Sequence, residues 1–121
     1  MKHTAKIALY HNPRCSKSRE ALNLLRERGV EPEVILYLET PPDAASLKQL
    51  LHKLGISARA LLRKGEEAYK ELGLGYEHLS EETLIEAMVK NPKLIERPIA
   101  IKDQFALIGR PPENVLQLLN R

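Results

Sequence analysis

The first third of the chain carries a pattern of hydrophobic and polar positions that predicts a β-α-β unit. Residues 6–10 (KIALY) form a short apolar run that stops at the polar HNP, which is typical of a buried strand. From Ser16 onward apolar residues recur at helical spacing until Gly29, where a glycine ends the helix. Residues 33–38 (EVILYL) are a second apolar run of strand length. So short a crossover through a helix predicts two parallel strands joined by a right-handed connection.

The middle of the chain, at about 43–95, is predicted to be helical. Asp43 and Ser80 each precede an apolar stripe of helical period and are suited to cap a helix. Gly55 is placed to end the first of these helices. Between the two capped helices, two further short helices are broken near Gly65.

The end of the chain returns to the strand period. Residues 97–101 (RPIAI) and 105–109 (FALIG) predict two strands with a hairpin-length gap, and the Pro-Pro pair that follows suits the start of a closing helix. The order is β-α-β, a helical insertion, then β-β-α, which is the thioredoxin-like arrangement. We therefore expect residues 1–121 to form one α/β domain with a four-stranded mixed sheet, helices on both faces and the insertion at about 43–95.

Composition and charge exclude several classes of protein. The 121 residues include 19 basic and 16 acidic side chains, for a net charge of +3, with few aromatic residues and no tryptophan. A dedicated nucleic-acid binder has a strongly basic face with aromatic residues among the basic ones, so no nucleic-acid partner is expected. No apolar stretch is long enough to span a membrane, and the apolar run in MKHTAKIALYHNP is too brief for a signal peptide. A single cysteine cannot form an internal disulfide, which fits a reducing compartment, the cytoplasm.

That cysteine, Cys15, lies in YHNPRCSKSRE, at the predicted turn from the first strand into the first helix. Backbone N–H groups and the helix dipole converge at such a turn and stabilise an anion. A thiol there has its pKa lowered from about 8.5 when cations are near. Ser16 and Ser18 are placed to donate hydrogen bonds to the sulfur, and positive charge is expected from His11, Arg14, Lys17 and Arg19. A free cysteine is most often a small buried hydrophobe, but these polar neighbours favour a reactive thiolate.

Cys15 has no second cysteine in a C-x-x-C pattern. It therefore cannot resolve its own intermediates as dithiol oxidoreductases do. Any covalent adduct or mixed disulfide formed on it needs an external thiol, and glutathione and a glutaredoxin are the expected suppliers.

Three arginines are candidates for an anion site beside the cysteine. Arg97 opens the third predicted strand, Arg110 follows the fourth, and Arg63 lies in LLRKG. In a thioredoxin-like sheet the segment before the third strand faces the cysteine loop, so Arg97 is expected to reach it. Several guanidinium groups beside a thiolate bind a tetrahedral oxyanion through bidentate hydrogen bonds, whereas a lone arginine is ordinarily a solvated charge.

The other polar residues predict simpler roles. The four histidines lack metal-ligand spacing and one cysteine cannot build a zinc site, so no metal is expected. There is no Gly-rich phosphate loop. The glutamate pairs at 66–67 and 81–82 lie near predicted helix starts, where they complement the helix dipole.

Five segments together resemble the glutaredoxin-coupled arsenate reductase family, the ArsC family. They are YHNPRCSKSRE, EPEVILYLETPP, ISARALLRKG, NPKLIERPI and IGRPPENVL, in the family's order from Ile7 to Leu119. The chain is most similar to small bacterial members with no long C-terminal extension. It departs from the best-known arsenate reductases in the more charged or polar residues that flank its cysteine: Arg14, Ser16 and Lys17.

The resemblance implies a role for each matching residue. Cys15 corresponds to the nucleophilic cysteine, His11 to the histidine linked to lowering its pKa, and Ser18 to a serine that hydrogen-bonds the thiolate. The arginines that bind and polarise arsenate correspond to Arg63, Arg97 and Arg110.

The family further implies reduction of arsenate to arsenite, with glutathione as co-substrate, glutaredoxin as protein partner, and neither a metal nor a bound cofactor. It also implies a cis peptide bond between Arg97 and Pro98. A monomer is expected, since a glutaredoxin must reach Cys15. The alternative is a thiol-sensing or partner-binding module that kept the scaffold and lost efficient catalysis. The presence of all three arginines favours the enzyme.

Overall fold

The computed structural model describes residues 6–120, which divide into two compact units. The first unit holds the chain up to Tyr37 and from Arg97 onward, and the second is Leu38–Glu96. Residues 1–5, on which the signal-peptide expectation partly rests, lie outside the described residues. The expectation that residues 1–121 form one domain stays a prediction. Within residues 6–120 no helix is long and apolar enough to cross a membrane.

The first unit is a four-stranded mixed sheet with two associated helices. It contains β1 (Ala8–Tyr10), α1 (Ser16–Glu27), β2 (Glu33–Ile35), β3 (Ile99–Lys102), β4 (Phe105–Ile108) and a closing 3-10 helix (Pro112–Asn120). The strand order is β2-β1-β3-β4, in which β1 runs parallel to β2 and antiparallel to β3, and β3 runs antiparallel to β4. This topology confirms the predicted thioredoxin-like arrangement.

One apolar core holds this unit together. It is shared by β1, α1, β3 and the closing helix, each of which contributes at least one buried apolar side chain. Its members are Ile7, Leu9, Ala21, Leu22, Leu25, Ala100, Val115 and Leu118. The packing fixes α1 along its length and so fixes its N-terminus, where Cys15 is the capping residue.

The strand β2 is shorter than predicted and ends at Ile35. Its partner β1 ends at Tyr10. Just beyond β1, the N–H of His11 donates a hydrogen bond to the Ile35 carbonyl at 2.9 Å. The N–H of Tyr37 then turns back to the same carbonyl at 3.0 Å. Tyr37 is fully buried and its ring stacks on that of Tyr10 with centroids 5.9 Å apart. The apolar run therefore continues as a buried turn.

The second unit is helical, as the pattern predicts. Its elements are α2 (Ala44–Leu54), α3 (Ala58–Leu61), α4 (Glu67–Glu71), α5 (Glu81–Lys90) and a 3-10 turn (Pro92–Leu94). Asp43 caps α2 by accepting the N–H of Ser46 at 2.8 Å, and Ser80 caps α5 by accepting that of Thr83 at 3.1 Å. Gly55 ends α2 with φ of 70°, a left-handed conformation that favours glycine. Both caps and the glycine stop are confirmed.

Gly109, just after β4, is packed too closely for a side chain. A Cβ there would lie 2.8 Å from Pro98 Cγ and 2.9 Å from Val115 Cγ1. The proline ring is rigid and Val115 belongs to the core, so we expect Gly109→Ala to lower the free energy of unfolding by about 1–3 kcal/mol. Urea denaturation followed by circular dichroism measures this.

Gly65→Ala is the matched control for that substitution. Nothing lies within 4 Å of a Cβ at Gly65, so its stability should stay within about 0.5 kcal/mol of the native protein. Equal stabilities of the two alanine variants would contradict the close approach at Gly109.

Candidate active site

The loop from β1 to α1 is a turn organised by Asn12. Its carbonyl accepts the N–H of Cys15 at 2.9 Å, and its side-chain Oδ1 accepts the N–H of Arg14 at 3.0 Å. Pro13 occupies the second position of this turn, where its fixed φ is favourable. Cys15 follows with extended backbone angles and α1 begins at the next residue. The turn formed by HNPRC thus places the partly exposed thiol of Cys15 at the start of a helix.

A buried polar network fastens this loop to α1. Ser18 is fully buried; its Oγ accepts the N–H of Asn12 at 3.0 Å and lies 2.7 Å from His11 Nδ1. Burial lowers the pKa of His11 below 6.5, and the charges of Arg26 and Arg19 lower it further. The imidazole is therefore neutral at neutral pH, and its Nδ1 forms a hydrogen bond with the Ser18 hydroxyl.

This network changes two expectations made from the sequence. The expectation that His11 adds positive charge near the thiol is wrong, because the buried ring is neutral. Ser18 does contact the sulfur, but through its backbone N–H, since its hydroxyl is directed to His11. The Ser18 hydroxyl links Asn12 and His11 of the cysteine loop to α1, and the catalytic roles of Cys15, His11 and Ser18 stay predictions.

The thiol of Cys15 has a lowered pKa. Burial is the largest single influence and raises the pKa, but hydrogen bonds and charge together outweigh it and hold the pKa below its ordinary value of 9.0. The donors to the sulfur are the backbone N–H groups of Ser18 and Lys17 and the side chain of Arg97, whose positive charge also contributes. Such a thiol is ionised at a lower pH than an ordinary cysteine and is more reactive near neutrality.

Two of the three predicted arginines converge on this sulfur within the first unit. Arg97 donates a side-chain hydrogen bond to it, and Arg110 Nη2 lies 3.6 Å from Cys15 Sγ. Arg110 Nε donates to the backbone carbonyl of Arg97 at 2.8 Å, which holds the Arg110 side chain against the backbone of Arg97. The peptide bond Arg97–Pro98 is cis, as expected, and so is Arg110–Pro111.

The third arginine, Arg63, belongs to the second unit. Its Nη1 donates to Glu96 Oε1 at 2.8 Å, and its Nε lies 3.4 Å from Glu66 Oε2. The roles of Arg63, Arg97 and Arg110 in substrate binding stay predictions.

Sequence reasoning missed the functions of three residues. Asn12 organises the cysteine turn, and the Asn-Pro pair, which is a turn signal, could have indicated this. Glu66 forms an ion pair with Arg63 in addition to the expected effect on a helix dipole, and its i,i+3 spacing from Arg63 is a signal for that pair. Glu96 carries no such signal, because it lies 33 residues from Arg63.

The arrangement around Cys15 has the chemistry of an anion site with a nucleophile. Two guanidinium groups supply positive charge and hydrogen-bond donors for a tetrahedral oxyanion beside a sulfur with a lowered pKa. Among residues 6–120 there is no group of three or more His, Cys, Asp or Glu side chains that could hold a metal ion.

The buried imidazole predicts a loss of stability in weak acid. Because the pKa of His11 is lower in the folded protein than its ordinary 6.5, the unfolded chain binds an extra proton as the pH falls through 6.5. The free energy of unfolding should therefore fall from pH 6.5 downward until the folded pKa is passed. Urea titrations at successive pH values should give a shallower fall for His11→Gln than for the native protein. His52→Gln removes an exposed histidine and should show the same fall in the free energy of unfolding with pH as the native protein. If His11→Gln also showed the native fall, the buried imidazole of His11 would not be the cause of the loss of stability in acid.

Comparison with known proteins identifies the family. A model described as the ArsC family matches residues 10–118. The chain is 63% identical over 117 residues to the uncharacterized protein YfgD of Escherichia coli (strain K12), covering 96% of this chain and 98% of that protein. It is 49% identical over 114 residues to the arsenate reductase of Neisseria meningitidis serogroup A, covering 93% of this chain and 97% of that protein. The solved structure of an arsenate reductase from Vibrio cholerae superimposes with a TM-score of 0.92 at 51% identity, covering 95% of this chain and 98% of the other. This chain belongs to the ArsC family.

Proposed function

We propose that this protein is an arsenate reductase that uses Cys15 as its only nucleophile and takes its reducing thiols from glutathione and a glutaredoxin. The observation that carries the proposal is the pairing of a thiol of lowered pKa with the side chains of Arg97 and Arg110. The names of the relatives from Neisseria meningitidis and Vibrio cholerae support arsenate as the substrate.

Arsenate first binds to the guanidinium groups. Arg97 and Arg110 neutralise its charge and hold arsenic within reach of the sulfur; the family resemblance adds Arg63 to this set. The Cys15 thiolate then forms a bond to arsenic, and one arsenate oxygen departs as hydroxide and is protonated to water. Arsenic remains As(V) in this thiol–arsenate adduct.

Reduction follows with thiols from outside the chain, because Cys15 is the only cysteine. Glutathione reduces the adduct, and glutaredoxin resolves the resulting mixed disulfide and regenerates Cys15. Over the cycle As(V) gains two electrons and leaves as arsenite, two external thiols become one disulfide, and one water is released. We propose that this chemistry needs no metal or bound cofactor, and that the protein acts in the cytoplasm as a monomer whose cysteine a glutaredoxin can reach.

The test is arsenate-dependent oxidation of NADPH in the presence of glutathione, glutaredoxin and glutathione reductase. Turnover that requires both arsenate and this protein is expected, with a sharp drop when glutaredoxin is omitted. If the folded protein gives no turnover while Cys15 still reacts with iodoacetamide, the thiol-sensing alternative is favoured instead.

A further inference from the structure

Three residues of the first unit close the cysteine turn on itself. The carbonyl of Asn12 accepts the N–H of Cys15 at 2.9 Å, and the N–H of Asn12 donates to Ser18 Oγ at 3.0 Å. The backbone N–H of Ser18 in turn donates to the sulfur of Cys15. Asn12, Cys15 and Ser18 therefore form a ring in which each residue contacts the other two.

The peptide unit between Pro13 and Arg14 is held at both of its polar ends. Its N–H donates to the side-chain Oδ1 of Asn12 at 3.0 Å, and its carbonyl accepts from Arg19 Nη1 at 2.9 Å. Arg14 directly precedes Cys15. The orientation of this peptide unit therefore sets the direction in which the chain enters the cysteine.

The side chain of Asn12 has the length that this contact requires. An asparagine at the first position of a turn reaches the backbone two residues further along the chain, which is why the residue is favoured there. Asn12 is only 7% exposed, so water competes little for its amide oxygen. The contact of Arg19 on the opposite side of the peptide unit is exposed. The Asn12 side chain is thus the better shielded of the two holds on this peptide unit.

We propose that Asn12 is a positioning residue for the nucleophile: its side-chain oxygen orients the Pro13–Arg14 peptide unit and thereby keeps the sulfur of Cys15 in line with the N–H groups at the start of α1. The hydrogen bonds of Asn12 are made to other residues of the turn and to Ser18, so it acts through Cys15. The kinetic part of the inference rests on the proposed function. The reactivity of the thiol tests it without arsenate.

Asn12→Ala is the primary variant, because it removes the acceptor of the Arg14 N–H and keeps the backbone carbonyl that accepts from Cys15. A loosened turn weakens the hydrogen bonds that stabilise the thiolate. We therefore expect the pH midpoint of alkylation by iodoacetamide to rise by about one unit, with alkylation about tenfold slower well below that midpoint. The kcat with arsenate should fall about tenfold, while KM for arsenate should stay within about twofold of the native value.

Two further variants distinguish positioning from a general loss of polarity. Asn12→Ser keeps a short side-chain oxygen that can accept an N–H two residues along, so its alkylation midpoint should lie closer to the native value than to that of Asn12→Ala. Asn12→Gln keeps the amide but not the length, and should behave like the alanine variant. All three variants are uncharged and leave Arg97 and Arg110, the charged side chains that contact the sulfur, unchanged. A shift of the midpoint therefore reports the turn.

Ser80→Ala is the matched control. Ser80 Oγ also accepts a backbone N–H, that of Thr83 at 3.1 Å, but it does so at the start of α5 in the second unit. Its removal should lower the urea midpoint of unfolding and leave the alkylation midpoint native. A purely structural role of Asn12 would likewise move the urea midpoint alone.

The inference is overturned if Asn12→Ala keeps the native alkylation midpoint, or if Ser80→Ala shifts it equally. If Asn12→Ala does not fold, a native midpoint in Asn12→Gln overturns it instead. A shifted midpoint in a protein that does not turn over arsenate removes the reductase proposal and keeps the role of Asn12. A native midpoint in an Asn12→Ala variant of a working reductase removes only the role of Asn12.

Discussion

Replacing Cys15 by serine is expected to lower arsenate turnover by at least about a thousandfold and to leave the fold intact. The Cys15 thiolate is the nucleophile of the proposed mechanism, and no second cysteine exists in the chain to replace it. Serine lacks the lowered pKa that makes the sulfur ionised and nucleophilic near neutrality. The measurement is the coupled NADPH assay with saturating glutathione and glutaredoxin.

The position of Cys15 makes this substitution a clean test. Cys15 is the N-cap of α1 and makes no side-chain capping hydrogen bond, whereas serine is among the preferred N-cap residues. The variant should therefore unfold within about 1 kcal/mol of the native protein, which urea denaturation checks. Native turnover in a folded Cys15→Ser variant would show that sulfur does not attack arsenic and would remove the mechanism.

Replacing Arg97 by alanine is expected to raise the pKa of Cys15 and to lower kcat/KM for arsenate by about ten- to a hundredfold. Arg97 both hydrogen-bonds the sulfur and places a positive charge beside it. A hydrogen bond to a charged group contributes about 1.5–3 kcal/mol, which corresponds to that range of rates. The pKa is read from the pH dependence of alkylation by iodoacetamide, and kcat/KM from the coupled assay.

Two further variants distinguish the specific contact of Arg97 with the sulfur and the oxyanion from the effect of its positive charge alone. Arg97→Lys keeps the positive charge but loses the planar fork that binds an oxyanion in bidentate fashion, so it should restore much of the thiol pKa and little of kcat/KM. Arg14→Ala removes an exposed arginine that directly precedes Cys15, and it should affect both quantities far less than Arg97→Ala does. If Arg14→Ala raised the thiol pKa as much as Arg97→Ala, general positive potential would explain the lowered pKa and the specific contact would not.

The position of Cys15 could be predicted from the sequence because it depends on local features. A strand-length apolar run, a turn signal and a helical stripe follow one another from residue 6 to Gly29, and together they place Cys15 at a helix start. The caps of Asp43 and Ser80 were predictable for the same reason, since their partners lie only three residues away. The order of elements was sufficient for the topology, because short connections leave few ways to pair the strands.

The protonation states and partners in the site depend on contacts that no local pattern encodes. His11 is neutral because the folded chain buries it, and the Ser18 hydroxyl faces the imidazole while its backbone N–H faces the sulfur. Arg110 reaches Cys15 across 95 residues of sequence, and Arg63 meets Glu96 across 33.

The sequence by itself therefore determined the strand and helix order and the position of Cys15 at a helix start, because those follow from spacing and composition, and its five motif segments carried the resemblance to the family. Only the tertiary structure decided which charges meet, which hydrogens point at the sulfur and how far burial changes each pKa. Those quantities depend on distance and on the exclusion of water, and both arise only when distant segments pack together.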